Sequence, residues 1–238
     1  MTRSHILLGA SHLAGNALLL WLGYTWLGMT EANGLHLAAS ALVLLVFGLG
    51  ALWLHATALA FFGGDSAAAS TALRHLPRLF AFAIVVALLY GLLWYCYGAF
   101  DHTAFVIGSA ATMTLRKPVP PSRVLTCFHA FIWLLRWIVV PALALPLAAR
   151  IVSKTSPRLL RRWPYWLAVG ALLLCAFWVP LRILDWIPKA NGFGMQAASL
   201  AIRVGFGYLL FVAALLALEF FTSAGKPRSS QPITVASP

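Results

Sequence analysis

The chain is expected to be an all-α, polytopic transmembrane bundle of six membrane-spanning helices, with both termini on the cytoplasmic side. Three observations predict it. Apolar residues make up 62% of the 238 positions and charged residues only 9%, where a soluble domain carries about 25% charged residues. Mean hydropathy is +0.88, too high for a chain that must cover a water-facing surface, and disorder requires low hydropathy. Finally, apolar stretches of about twenty residues, the length that crosses a ~30 Å hydrocarbon core, recur along almost the whole sequence.

Six segments meet that length: residues 6–29, 35–62, 79–100, 124–149, 164–184 and 196–221. They are helices because an open strand cannot satisfy its backbone in lipid, and their apolar runs lack the alternation of barrel strands. The first follows Arg3 and exceeds a signal-peptide core, so it reads as an uncleaved span. Before the third, DSAAASTALRHLPR reads as a short surface helix stopped at Pro77. After it, residues 103–113 are mildly apolar but too short to cross, and read as a surface or re-entrant segment. Residues 1–222 thus form one transmembrane domain. Residues 223–238, rich in Pro and Ser, read as a disordered cytoplasmic tail.

Positive charge sets the orientation. With the N-terminus inside, Arg3, Arg74, Arg78, Arg150, Lys154, Arg158, Arg161, Arg162, Lys226 and Arg228 are cytoplasmic; Arg116, Lys117, Arg123, Arg182 and Lys189 lie opposite. Ten against five favours both termini inside. The loop RIVSKTSPRLLRRW is the strongest marker. Aromatic belts agree: Trp21, Tyr24 and Trp26 end the first span, Trp94, Tyr95, Tyr97 and Phe100 the third, and Trp163, Tyr165 and Trp166 open the fifth. The net charge of +12 therefore belongs to lipid headgroups and topology and not to nucleic acid. The compact, loop-poor, Ala/Leu-rich style suggests a bacterial inner (cytoplasmic) membrane.

Arg136 is the most informative position, a charge near the middle of the fourth span, where placement costs several kcal/mol. No Asp or Glu falls at its depth. Prolines on its own helix offer carbonyls instead, Pro141 freeing that of Trp137 and Pro146 that of Ala142. His129 lies seven residues earlier on nearly the same face, with Trp133 between. This pattern suits an anionic or amphiphilic ligand in a central cavity; the competing reading is an arginine satisfied by carbonyls, amides or water. Arg203, two turns inside the sixth span, is expected to pair with Asp185 in a structural ion pair, with Asp101 as the alternative partner. Glu219, at the inner end of the same span, is expected to face water or the Arg-rich loop.

The first span carries His5, Gly9, His12, Asn16 and Gly23 at spacings of 4, 3, 4 and 7. Helical periodicity gathers them into a polar, small-residue stripe that faces protein or a cavity. His12 and Asn16 join the candidate ligand-binding set. His55 sits at a matching depth on the second span, so a b-type haem with two histidine ligands is one alternative. Against it, a short loop makes the two helices neighbours, and a hydrogen-bonded His/Asn cluster is the plainer reading. Cys96, Cys127 and Cys175 form no CxxC motif.

HExxH, GxSxG and a phosphate-binding loop are missing, as is any paired carboxylate within a span. Hydrolytic chemistry, resident metal and carboxylate-driven transport are therefore disfavoured, and no nucleophile–base pair is visible. The leading expectation is a permease-like or binding protein whose partners are membrane lipids and an anionic or lipid-like small molecule. The alternatives are a non-catalytic assembly subunit of a membrane complex and the haem-bearing electron-transfer subunit on His12 and His55.

Overall fold

The structure, a computed structural model, describes residues 3–30, 32–153, 160–187 and 192–223. The expected tail from 224 onward, with Lys154, Arg158 and Lys189 of the charged loops, lies outside the described residues. Among the described residues, six helices are long and apolar enough to cross a membrane: α1 (Arg3–Leu27), α2 (Gly34–Phe62), α3 (Ala68–Leu115), α4 (Pro121–Ser153), α5 (Trp163–Asp185) and α6 (Phe193–Ser223). The described residues contain no strand. Helices α2 to α6 close a ring, each packed on its neighbours, with α4 also contacting α2 and α6; α1 lies outside it, principally against α2 and α6.

Helix α3 departs from expectation at both ends. It runs unbroken for 48 residues, about 72 Å at 1.5 Å per residue, so it outreaches a ~30 Å hydrocarbon core. Pro77 sits inside it and does not stop it. The carbonyl that proline deprives of a partner belongs to Leu73, a residue 61% exposed near the helix start, where solvent or headgroups can satisfy it. Asp65 starts the helix by accepting the amide of Ala67 at 2.8 Å and the hydroxyl of Thr71 at 2.6 Å, with negative charge at the positive end of the helix dipole. Residues 103–113 are neither re-entrant nor a separate surface segment; they are the last turns of α3. They are fastened to the α4 approach by Thr112, whose hydroxyl accepts the amide of Val119 at 2.9 Å.

The core is built for close approach. Ala56, Ala60, Ala68 and Ala72 pack α2 on α3 with Leu79 and with Val152 of α4. Small side chains let backbones meet where lipid supplies no hydrophobic drive for helices to associate. At Gly63 a Cβ would come within 2.7 Å of the Ser153 Cβ, and at Gly15 within 2.9 Å of Leu54. Glycine is therefore what seats α2 on α4 and α1 on α2. The exterior is apolar: α1 turns Ile6, Leu7, Leu18, Leu20 and Trp21 outward while burying His12 and Asn16. A helix with polar residues inside and apolar residues outside inverts the soluble pattern and suits lipid as solvent.

Two helices carry a π-helical turn, α4 at Leu135–Val139 and α5 at Leu174–Trp178. Each ends two residues before a proline, Pro141 or Pro180. The amide of Val140 bonds the Leu135 carbonyl and that of Val179 the Leu174 carbonyl, five residues back instead of four. In that register the carbonyl orphaned by Pro141 is that of Arg136 and not, as expected, that of Trp137.

Candidate functional site

The sequence places its candidate ligand residues around one cavity; the fold divides them between two sites. The space at the centre of the helix ring, about 310 Å³, is lined by His55, Tyr90, Trp137, Pro141, Leu218 and Glu219 among others. Arg136 does not line it. Adjacent residues on a helix point about 100° apart; with Trp137 turned inward, Arg136 faces a groove between α3 and α4.

That groove, about 540 Å³, gathers Trp94 and Tyr97 from α3 with Thr126, His129, Trp133 and Arg136 from α4. Three expected ligand residues, Arg136, His129 and Trp133, thus share one wall, as their helical spacing requires. The guanidinium lies over Trp94, 5.2 Å from the ring centroid, a cation–π contact. The His129 ring stacks on Tyr97 at 4.0 Å. Arg136 Nε and His129 Nε2 are buried without a hydrogen-bond partner among the described residues. Of the two carbonyls expected to satisfy Arg136, that of Ala142 is taken by a tyrosine, and so is the carbonyl of Arg136 itself. Tyr90 donates its hydroxyl to the Arg136 carbonyl at 2.7 Å, and Tyr165 donates to the Ala142 carbonyl at 2.6 Å. Tyr165 is accordingly 1% exposed, a core residue and not part of an aromatic belt.

His12 and Asn16 contribute nothing to that groove. Asn16 donates to the His12 carbonyl at 2.9 Å within α1, while the His12 ring meets His55 edge to face, centroids 5.6 Å apart. A haem with two histidine ligands needs one imidazole on each side of a flat macrocycle. Rings in direct contact, on helices seated at Gly15, leave no such slot, so haem does not fit this arrangement.

Glu219 reverses its expectation. It is 2% exposed and meets His55, Nδ1 to Oε1, at 2.5 Å. Near the same end of the bundle Ser223 donates to the Leu59 carbonyl at 3.2 Å, pinning α6 to α2. Helical phase explains the error: Glu219 lies one residue from Leu218 and four from Leu215, on the stripe that faces the central cavity.

Arg203 also differs. It reaches the expected loop but donates to the carbonyls of Leu184 at 2.7 Å and Trp186 at 2.5 Å, on either side of Asp185. Those carbonyls belong to the fraying end of α5, where the last turn lacks intrahelical partners, so the guanidinium caps a helix instead of forming the expected ion pair. The acid–base contact found at ion-pair distance among the described residues is His55–Glu219, which is an ion pair when the imidazole is protonated. The three cysteines are free thiols.

Comparison of the chain with protein-family models, with curated proteins and with solved structures found no match. The class that the fold defines is a bundle of six apolar helices compatible with a multi-pass integral membrane protein.

Proposed function

We propose that this protein binds an amphiphilic anion in the α3–α4 groove, with the anionic headgroup at Arg136 and His129 and the apolar chain along Trp94 and Trp133. The observation that carries the reading is the pair of buried nitrogens, Arg136 Nε and His129 Nε2, left without partners in one groove. Buried polar atoms are almost always hydrogen-bonded, and an arginine keeps its charge at any accessible pH. A phosphate or carboxylate supplies both the charge and the acceptor oxygens, while the surrounding aromatic walls suit acyl chains. The distribution of Lys and Arg supports an inside N-terminus, the compact Ala/Leu-rich style supports a bacterial inner membrane, and a permease-like role follows if the bound anion also crosses.

The test uses the full chain in mild detergent, with phosphatidylglycerol or phosphatidylcholine of matched chains added. Phosphatidylglycerol should raise the unfolding temperature and remain bound in native mass spectra. Arg136→Ala should weaken that binding about 10–100-fold, the worth of a charge-assisted hydrogen bond of about 1.5–3 kcal/mol. Equal stabilisation by the two lipids, or undiminished binding in the variant, would overturn the reading and leave the groove as a joint between α3 and α4.

A further inference from the structure

A second polar centre lies where α1, α2 and α6 meet. His12 on α1, His55 on α2 and Glu219 on α6 each offer a donor atom, and these atoms lie within 4.8 Å of one another. His12 is 0% exposed and Glu219 is 2% exposed. Glu219 Oε2 has no hydrogen-bond partner among the described residues, and neither His12 ring nitrogen makes a well-formed hydrogen bond, a weak approach to the Leu54 backbone aside. Three under-partnered donor or acceptor atoms in one buried cluster exceed what packing accounts for, since isolated buried polar groups are costly. The His55 side chain, 32% exposed, opens the cluster onto the central cavity.

From this geometry we infer that His12, His55 and Glu219 form a binding site for one divalent transition-metal ion. Two imidazoles and one carboxylate are a donor set for zinc, cobalt or iron(II), and unsuited to calcium or magnesium, which take oxygen ligands. Bonds of about 2.0–2.2 Å in a tetrahedral site space the donors about 3.4 Å apart. No pair has to close by more than about 1.4 Å, and the His55–Glu219 contact opens by about 1 Å, within reach of side-chain rotation. The ion exchanges the 2.5 Å contact for three bonds and gives the His12 ring a full bond in place of a weak approach to the Leu54 backbone. A fourth position is left facing the cavity. Because the ligands come from three helices, the metal also fastens peripheral α1 to the ring. The site shares no residue with the α3–α4 groove and does not depend on it.

Cobalt(II) reports the site directly, because its visible absorption bands depend on coordination number. Full-chain protein in mild detergent, stripped with chelator, should take up one cobalt per chain, develop visible bands and unfold at a higher temperature; zinc should displace the cobalt and bleach the bands. His12→Gln and Glu219→Gln should each weaken cobalt binding at least 100-fold and abolish the thermal shift. Glu219→Gln keeps a hydrogen-bonding partner for His55, so it carries the test if His12→Gln fails to fold. Wild-type protein that stays folded yet yields no bands and no thermal shift would overturn the site, leaving a hydrogen-bonded cluster only. Binding that survives in Glu219→Gln would overturn it as well, by assigning the metal to surface histidines.

Discussion

The α3–α4 groove and the His12–His55–Glu219 cluster both hold ionisable side chains within apolar helices, and they handle them oppositely. In the cluster the one buried acid meets a histidine from another helix at 2.5 Å. In the groove the guanidinium has an aromatic face beneath it and an Nε without a partner. The groove leaves its cation without a counter-charge, whereas the cluster ties Glu219 Oε1 to a second helix and leaves Glu219 Oε2 open. His55–Glu219 therefore contributes to assembly of α2 with α6 as well as to the proposed metal site, while Arg136 contributes to binding and little to stability.

Breaking the buried pair is the largest expected effect. His55→Ala leaves Glu219 buried beside a vacancy and should cost about 3–5 kcal/mol, measured by reversible unfolding in mixed micelles. A loss under 1 kcal/mol would mean that Glu219 reaches water and that the two sites are not opposites. Tyr165→Phe comes next, because it strips the Ala142 carbonyl, already freed by Pro146, of its donor. About 1–2 kcal/mol is expected from the same unfolding assay, the range of interhelical hydrogen bonds in membranes.

Tyr90→Phe sharpens the contrast. It removes the donor to the Arg136 carbonyl, with a stability cost near 0.6 kcal/mol, an average value for such bonds. Because that bond fixes the π-helical turn carrying Arg136, anionic-lipid binding should weaken more than stability does. Proportional losses in both would make Tyr90 a packing residue alone. The smallest effect is expected of Arg136→Leu, whose stability should stay within about 0.5 kcal/mol of wild type, because losing the cation–π contact with Trp94 is offset by no longer burying an unpaired nitrogen. A drop of several kcal/mol would show that the guanidinium is satisfied inside the fold, and the comparison would collapse.

The number and helical nature of the spans were legible because lipid restricts a chain to few solutions: about twenty apolar residues and an internally bonded backbone. The inward placement of His12 and Asn16 was legible for the same reason, since they fall one turn apart and lipid excludes them, whereas His5, expected on the same stripe, is exposed. The grouping of Arg136, Trp133 and His129 followed from helical spacing. Span ends were less legible. Hydropathy falls at Pro77 and again past Phe100, yet α3 continues through both, because helix persistence outside an apolar core depends on capping and tertiary contacts such as Asp65 and Thr112 that hydropathy does not register.

What the sequence determined by itself is therefore one-dimensional: which stretches are helical and apolar, and which residues share a face of a single helix. Which faces meet was decided only in three dimensions. Glu219 and His55 are separated by 164 positions, and nothing in their local surroundings announces the pair. The turn that points Trp137 into the cavity and Arg136 out of it depends on a π-helical register five residues long. Periodicity fixes angles within a helix, but rotation and neighbours are set by packing, where an alanine seam and two glycine contacts determine how closely the backbones approach.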